Sequence, residues 1–214
     1  FRSDILDRQE IEWDLFITYL MSMRMDRVMS FNRPFSLKVV CSILNTMNYR
    51  YVMILEPHSE RTKGLLGTRC YPQKFNFESH LDIQSNIVFP DAGAYQRYKI
   101  LSNNWGHIVF NKVRDLETGK IREFSIGREV NCYYPTFTFI DDLCDAGGTF
   151  LGELKVLKER YPDVKYEIMV CHAVNIKGLV NLCNNFDRVI ITNSYCDCGY
   201  KPSNNNLTVI DVCG

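Results

Sequence analysis

Short, continuous apolar runs separated by longer helical or turn-rich stretches dominate the chain, and this alternation restricts its fold more than any other feature. The runs that read as strands are Leu15–Tyr19, Tyr51–Leu55, Asn86–Phe89, His107–Asn111, Thr136–Ile140, Tyr166–Cys171, Arg188–Thr192 and Leu207–Val209. Most are apolar at successive positions rather than alternate ones, the pattern of strands covered on both faces. Between them, Ser36–Met47 spaces Leu37, Val40, Ile43, Leu44 and Met47 as a helix face, and Gly148–Tyr161 does the same with Leu151, Leu154 and Leu157 before Pro162 stops it. Ile176–Asn185 reads as a further helix. Parallel neighbours need crossovers of about a dozen residues, so the pattern predicts an α/β protein with mainly parallel sheets flanked by helices. Gln73–Ser85 is polar and strand-poor, which places an expected boundary near residue 80 and gives units 1–80 and 81–214.

Charge and cysteine content narrow the function classes. The 214 residues carry 25 basic and 25 acidic side chains, so there is no bulk basic excess of the kind that nucleic-acid binders use. No apolar run approaches the roughly 18 to 20 residues that span a bilayer, and residues 1–10 are too polar for a signal peptide, so a cytoplasmic protein without membrane contact is expected. Nine scattered cysteines, an odd number, fit reduced thiols. Cys196 and Cys198 lack both CxxC spacing and a second ligand pair, so zinc is disfavoured there.

The chemistry concentrates in Thr136–Phe150, TFTFIDDLCDAGGTF. An apolar strand runs into two adjacent carboxylates, Asp141 and Asp142, followed by Asp145 and the small-residue turn Ala146, Gly147, Gly148 and Thr149 that opens a helix. Backbone N–H groups of such a turn bind phosphate, and glycine permits close approach. The paired carboxylates suit a vicinal diol or a hydrated divalent cation. Together they point to a sugar phosphate.

This segment resembles the phosphoribosyl-pyrophosphate motif of type I phosphoribosyltransferases and ribose-phosphate pyrophosphokinases. Further segments, in the right order, resemble the second family. Met23-Arg24-Met25-Asp26-Arg27 is similar to its ATP-site element, with Met25 where glutamine is usual. Leu55-Glu56-Pro57-His58-Ser59 is similar to its Asp-Leu-His segment, and position in the series outweighs the ordinary reading of a strand-end histidine as structural. Phe89-Pro90-Asp91-Ala92-Gly93-Ala94 resembles the segment opening the second domain, with Arg97 on the helix after it, free to meet phosphate or a neighbouring acid. Lys112-Val113-Arg114 resembles the start of its flexible catalytic loop, although Asp115–Arg122 also reads as a plain hairpin turn. His172 ends a strand within reach of the ribose-phosphate pocket, whereas His80 and His107 have no supporting pattern.

The resemblance implies two phosphoribosyltransferase-like lobes, the first lacking an N-terminal strand-helix unit that family members carry. It implies an enzyme that transfers the β,γ-diphosphoryl group of ATP to the anomeric hydroxyl of ribose 5-phosphate. ATP falls to Arg24, Asp26, Arg27 and His58; ribose phosphate to Asp141, Asp142, Asp145 and Ala146–Thr149; Mg²⁺ to His58 and Asp91; catalysis to Lys112, Arg114 and His58. Self-association is implied, as is a divergent, phage-type member acting in a host cytoplasm. Three alternatives remain: a larger acceptor such as ADP-ribose, a phosphoribosyltransferase, and a non-catalytic regulatory homologue, which the departures at Met25, Glu56 and Ala146 would fit.

Overall fold

A computed structural model describes residues 12–28, 34–114, 121–195, 200–203 and 205–213, with 113, 114, 121 and 122 described by backbone alone. The chain divides into two compact units, Phe1–Lys74 and Phe75–Gly214.

The first unit contains a parallel three-stranded sheet in the order β1 (Asp14–Ile17), β2 (Tyr51–Leu55), β3 (Cys70–Gln73). Helices α1 (Ser36–Thr46) and α2 (Arg61–Leu66) supply the crossovers. Leu37 and Cys41 of α1 are buried with Val52 and Ile54 of β2, Leu66 of α2 and Cys70 of β3. The buried face of α1 is turned from the expected one: Ile43 and Met47 are more than half exposed. β3 carries Pro72, which removes a backbone donor, and it stands at a sheet edge, where that loss is tolerated.

The second unit is built on a seven-stranded sheet in the order β10 (Leu207–Ile210), β9 (Arg188–Thr192), β8 (Lys165–Ala173), β7 (Thr136–Cys144), β4 (Ser85–Phe89), β5 (His107–Arg114), β6 (Ile121–Val130). Every pair is parallel except β5 with β6, which is antiparallel. The α/β class and mainly parallel sheets are therefore as the apolar rhythm predicts, with one antiparallel edge strand added.

Central strands β4 and β7 are buried at nearly every position because both faces are covered, and Val88, Phe137, Phe139, Ile168 and Val170 lie in the core with Phe150, Leu154 and Leu157 of α4 (Gly148–Arg160). Helices α3 (Ala92–Tyr98) and α5 (Ile176–Asn185) complete the layers. The inner face of α4 is Phe150, Glu153, Leu154 and Leu157, rather than one centred on Leu151. Gly152 brings this helix against β6: a Cβ there would stand 2.1 Å from Cε2 of Phe124. Among the described residues Cys41, Cys70, Cys132, Cys144, Cys171, Cys183 and Cys213 are free thiols. Cys196 and Cys198 lie outside the described residues.

Candidate functional site

In a parallel sheet the carboxyl ends of the strands and the loops after them gather on one side, and that side is where ligands bind in open α/β sheets. Here the ends of β4, β5 and β7 deliver Asp91, Lys112, Asp141 and Asp142 to one cluster. β7 continues to Cys144, so both carboxylates belong to the strand itself and do not follow it. Arg97 of α3 holds them together: its Nη2 donates to Asp141 Oδ1 at 2.7 Å and to Asp142 Oδ1 at 2.9 Å. Of the two roles open to Arg97, the structure shows the pairing with acids.

Asp91 caps α3 through Oδ1, which accepts from the Ala94 N–H at 2.9 Å, and its Oδ2 accepts from Lys112 Nζ at 2.9 Å. Lys112, on β5, thus lies across β4 from the diacid on β7, held by a carboxylate and largely shielded, with a side chain 13% exposed. Only the backbone of Arg114 is described, two residues further along β5.

The electrostatics are set by burial and by charges that partly cancel. Burial drives Asp141 well above the carboxylate range, the neighbouring Asp142 adds to this, and Arg97 only partly offsets it. Arg97 is itself opposed by burial, yet the two aspartates hold it firmly charged. For Asp91 burial acts upward, but Lys112 and the Ala94 N–H outweigh it and the carboxyl sits below its usual range. The cluster therefore contains one readily ionised carboxylate beside Lys112 and a diacid that shares a guanidinium, with Asp141 held back from ionising.

Sequence reasoning did not single out Glu153. It is fully buried on α4, both carboxyl oxygens lack a hydrogen-bond partner among the described residues, and burial pushes it up to about 9. The charges acting on it are Lys112, Asp141 and Asp91. The signal was available: Phe150, Glu153, Leu154 and Leu157 are an i, i+3, i+4, i+7 set with an acid at one position.

Beyond β7, the turn before α4 leaves the first N–H groups of the helix without a side-chain cap. Gly147 takes φ +80°, ψ −4° at the helix N-cap, a conformation that favours glycine. α5 buttresses the loop: Asn181 Nδ2 donates to the Ala146 carbonyl at 3.1 Å and Asn175 Nδ2 donates to Asp145 Oδ1 at 3.2 Å. A Cβ on Gly178 would lie 1.7 Å from the Asp145 carbonyl oxygen, so only glycine allows this approach. Gly178→Ala is expected to cost about 1–3 kcal/mol as the turn is pushed off α5, which urea denaturation would measure. Asp145 and Gly148 are exposed, Thr149 is half-buried. His172 is fully buried, with Nδ1 2.7 Å from Ser194 Oγ. His107 is also buried, and it stacks on Tyr95.

The first unit gathers its own set. Asp26 is buried and accepts from Arg27 Nε at 2.9 Å, while Arg61 Nη1 of α2 donates to the Asp26 carbonyl at 2.8 Å. Burial opposes ionisation of Asp26, but the Arg27 hydrogen bond and the charges of Arg27 and Arg61 prevail and lower it. His58, half-buried, lies three residues before Arg61, so the Arg24–Arg27 and His58 segments share one region of this unit, with Arg24 exposed. Glu56 is buried at φ +40°, with Lys74 Nζ 3.6 Å from its Oε2. His58 and Asp91, the expected Mg²⁺ pair, belong to different units. No group of three or more His, Cys, Asp or Glu suited to a metal occurs among the described residues. Nor, among them, is any helix long and apolar enough to cross a membrane.

No protein-family model matches the chain. A curated ribose-phosphate pyrophosphokinase of Mycoplasmopsis pulmonis is 23% identical over 192 residues, which cover 85% of this chain and 59% of that protein. Ribose-phosphate pyrophosphokinase 4 of Arabidopsis thaliana is 32% identical over 88 residues, 41% of this chain and 25% of that protein. The chain thus spans less than two thirds of the length of these curated relatives. Phosphoribosylpyrophosphate synthetase from Mycobacterium smegmatis superposes with a TM-score of 0.71 over 94% of this chain and 67% of that one, at 19% identity. The chain thus shares the phosphoribosyltransferase-type fold and is similar, at a distance, to phosphoribosylpyrophosphate synthetases.

Proposed function

We propose that the chain carries the site of a diphosphotransferase that moves the β,γ-diphosphoryl group of ATP to the anomeric hydroxyl of ribose 5-phosphate, releasing AMP. One observation carries this reading. The diacid Asp141–Asp142, the open turn Ala146–Thr149 and the Lys112–Asp91 pair stand at neighbouring strand ends of a single unit. The turn offers N–H groups to a 5-phosphate, the diacid offers acceptors to the 2- and 3-hydroxyls, and Lys112 is the cation assigned to the transferring group. The remaining work is positioning and charge neutralisation.

Lys112 leaves Asp91 to meet charge developing on the transferring group, and Arg114 follows it on the same strand. On the ATP side the reading assigns Arg24, Asp26, Arg27 and His58. Mg²⁺ binds through one or two carboxylates plus substrate phosphates and keeps several waters, so the single carboxylate of Asp91, together with the phosphates, would hold it in the second unit. When bound, the ion supplies neutralisation of the polyphosphate charge. Asp91 is fit for a cation because Lys112 keeps its carboxyl ionised.

The test is AMP formation from ATP, with ribose 5-phosphate and ADP-ribose offered separately as acceptors. AMP formed only when an acceptor is present supports the transfer, and the faster acceptor identifies the substrate. No AMP with either acceptor, together with pyrophosphate release from phosphoribosyl pyrophosphate, would make the chain a phosphoribosyltransferase instead.

A further inference from the structure

When Lys112 turns from Asp91 towards a substrate, a largely shielded ammonium loses its carboxylate partner and gains from another acceptor nearby. The fold provides one. Phe124 is the cross-strand partner of Lys112, so both side chains stand on the same face of the β5–β6 pair. The Phe124 ring lies against Gly152 of α4, and the next residue along that helix is Glu153. Glu153 is fully buried, neither carboxyl oxygen has a hydrogen-bond partner among the described residues, and Lys112 is the foremost charge acting on it. An acid at an inner position of a helix that otherwise packs Phe150, Leu154 and Leu157 does nothing for the core.

We propose that Glu153 is a positioning residue for Lys112. Its carboxyl carbonyl oxygen accepts a hydrogen bond from the ammonium whenever Lys112 leaves Asp91, which keeps the lysine within the site while it turns to the transferring group. A lysine ammonium has three donors, so one held by Glu153 leaves two for the substrate. No proton changes hands: burial keeps the Glu153 carboxyl protonated at neutral pH, and a neutral carboxyl still offers its carbonyl oxygen. The catalytic part of this role rests on the transfer proposed above; the structural part, a second acceptor for Lys112, does not.

The structural part is read by acetylation of Lys112 with acetic anhydride, followed by mass spectrometry of the peptide that carries it. Asp91→Ser keeps a helix-capping hydroxyl but cannot reach Lys112. In that variant Lys112 should label within about threefold of the unaltered protein, because Glu153 takes it over. Adding Glu153→Met should then speed labelling roughly tenfold or more, since no acceptor remains. Equal labelling in the single and double variants overturns the proposal. Glu153→Leu repeats the comparison should the methionine disturb folding.

The catalytic part is read in turnover. Glu153→Met should lower kcat about tenfold with KM for ATP and acceptor within about twofold, and Glu153→Gln should restore most of that loss through its amide carbonyl. A glutamine variant as slow as the methionine variant overturns the role. A chain inactive towards ATP would end the functional reading while the labelling result still stood or fell by itself.

Discussion

Lys112→Ala is expected to lower kcat for diphosphoryl transfer by about 10²–10³-fold, roughly 3–4 kcal/mol of barrier, while KM for both substrates changes little. The reason is the partner that Lys112 already has. In the free protein its charge is matched by Asp91 at 2.9 Å, so binding a ground-state substrate gains little from it. Only charge that develops during transfer draws it away, and an interaction made in the transition state alone appears in kcat. Initial rates of AMP formation at saturating ATP and acceptor measure this. A tenfold rise in KM with kcat preserved would make Lys112 a binding residue and leave the chemistry to other groups. Lys112→Arg should recover only part of the loss, because a planar fork cannot take the place of a compact ammonium between Asp91 and α4.

The elements that stand out most in the sequence are those buried on both faces. Strands β4, β7, β8 and β9 lie inside the sheet, so their residues are apolar in succession and the runs stand out. The elements that were missed stand at edges or are short. β6 carries Phe124 and Ile126 at alternate positions among charged residues, since one side of an edge strand meets solvent. β3 contains Pro72, ordinarily evidence against a strand, and α2 has only six residues, too few to show a helical period.

The site divides in the same way. Asp91, Lys112, Asp141, Asp142 and the Gly147 turn stand where apolar runs end, and the ends of such runs can be located from sequence even where the strand continues beyond them. The pairing of Arg97 with two aspartates 44 and 45 residues away is a tertiary fact that no local pattern encodes. Glu153 was hidden by a rotation of less than one helical turn: with Leu151 taken as an inner residue, Glu153 reads as part of the solvated face. Phe150 as the inner residue puts the acid inside.

That buried acid leads to the second large effect, on stability rather than rate. Glu153→Gln is expected to stabilise the protein by about 2–4 kcal/mol at pH 7.5, and by well under 1 kcal/mol at pH 5. The sign follows from proton uptake. In the unfolded chain the carboxyl ionises near 4.5, whereas burial pushes the folded value up to about 9. Below pH 4.5 both states hold the proton and the group costs nothing through ionisation. As pH rises from 4.5 towards 9 the unfolded chain releases a proton that the folded chain retains, so stability falls by about 1.4 kcal/mol per pH unit, with about 4 kcal/mol as the upper end at pH 7.5. Asp141, raised by burial and by Asp142, acts in the same direction. Asp91 and Asp26 are lowered, so their contribution is lost instead as pH falls through their folded values, which confines their effect to the acid side. Glutamine has the shape of the neutral acid and nothing to ionise, so urea midpoints of the two proteins should converge near pH 5 and separate steadily towards pH 8. A constant difference across that range would show that Glu153 is ionised in the folded protein or paired with a cation. A widening one would show that the folded protein retains the Glu153 proton and keeps this acid at the expense of stability.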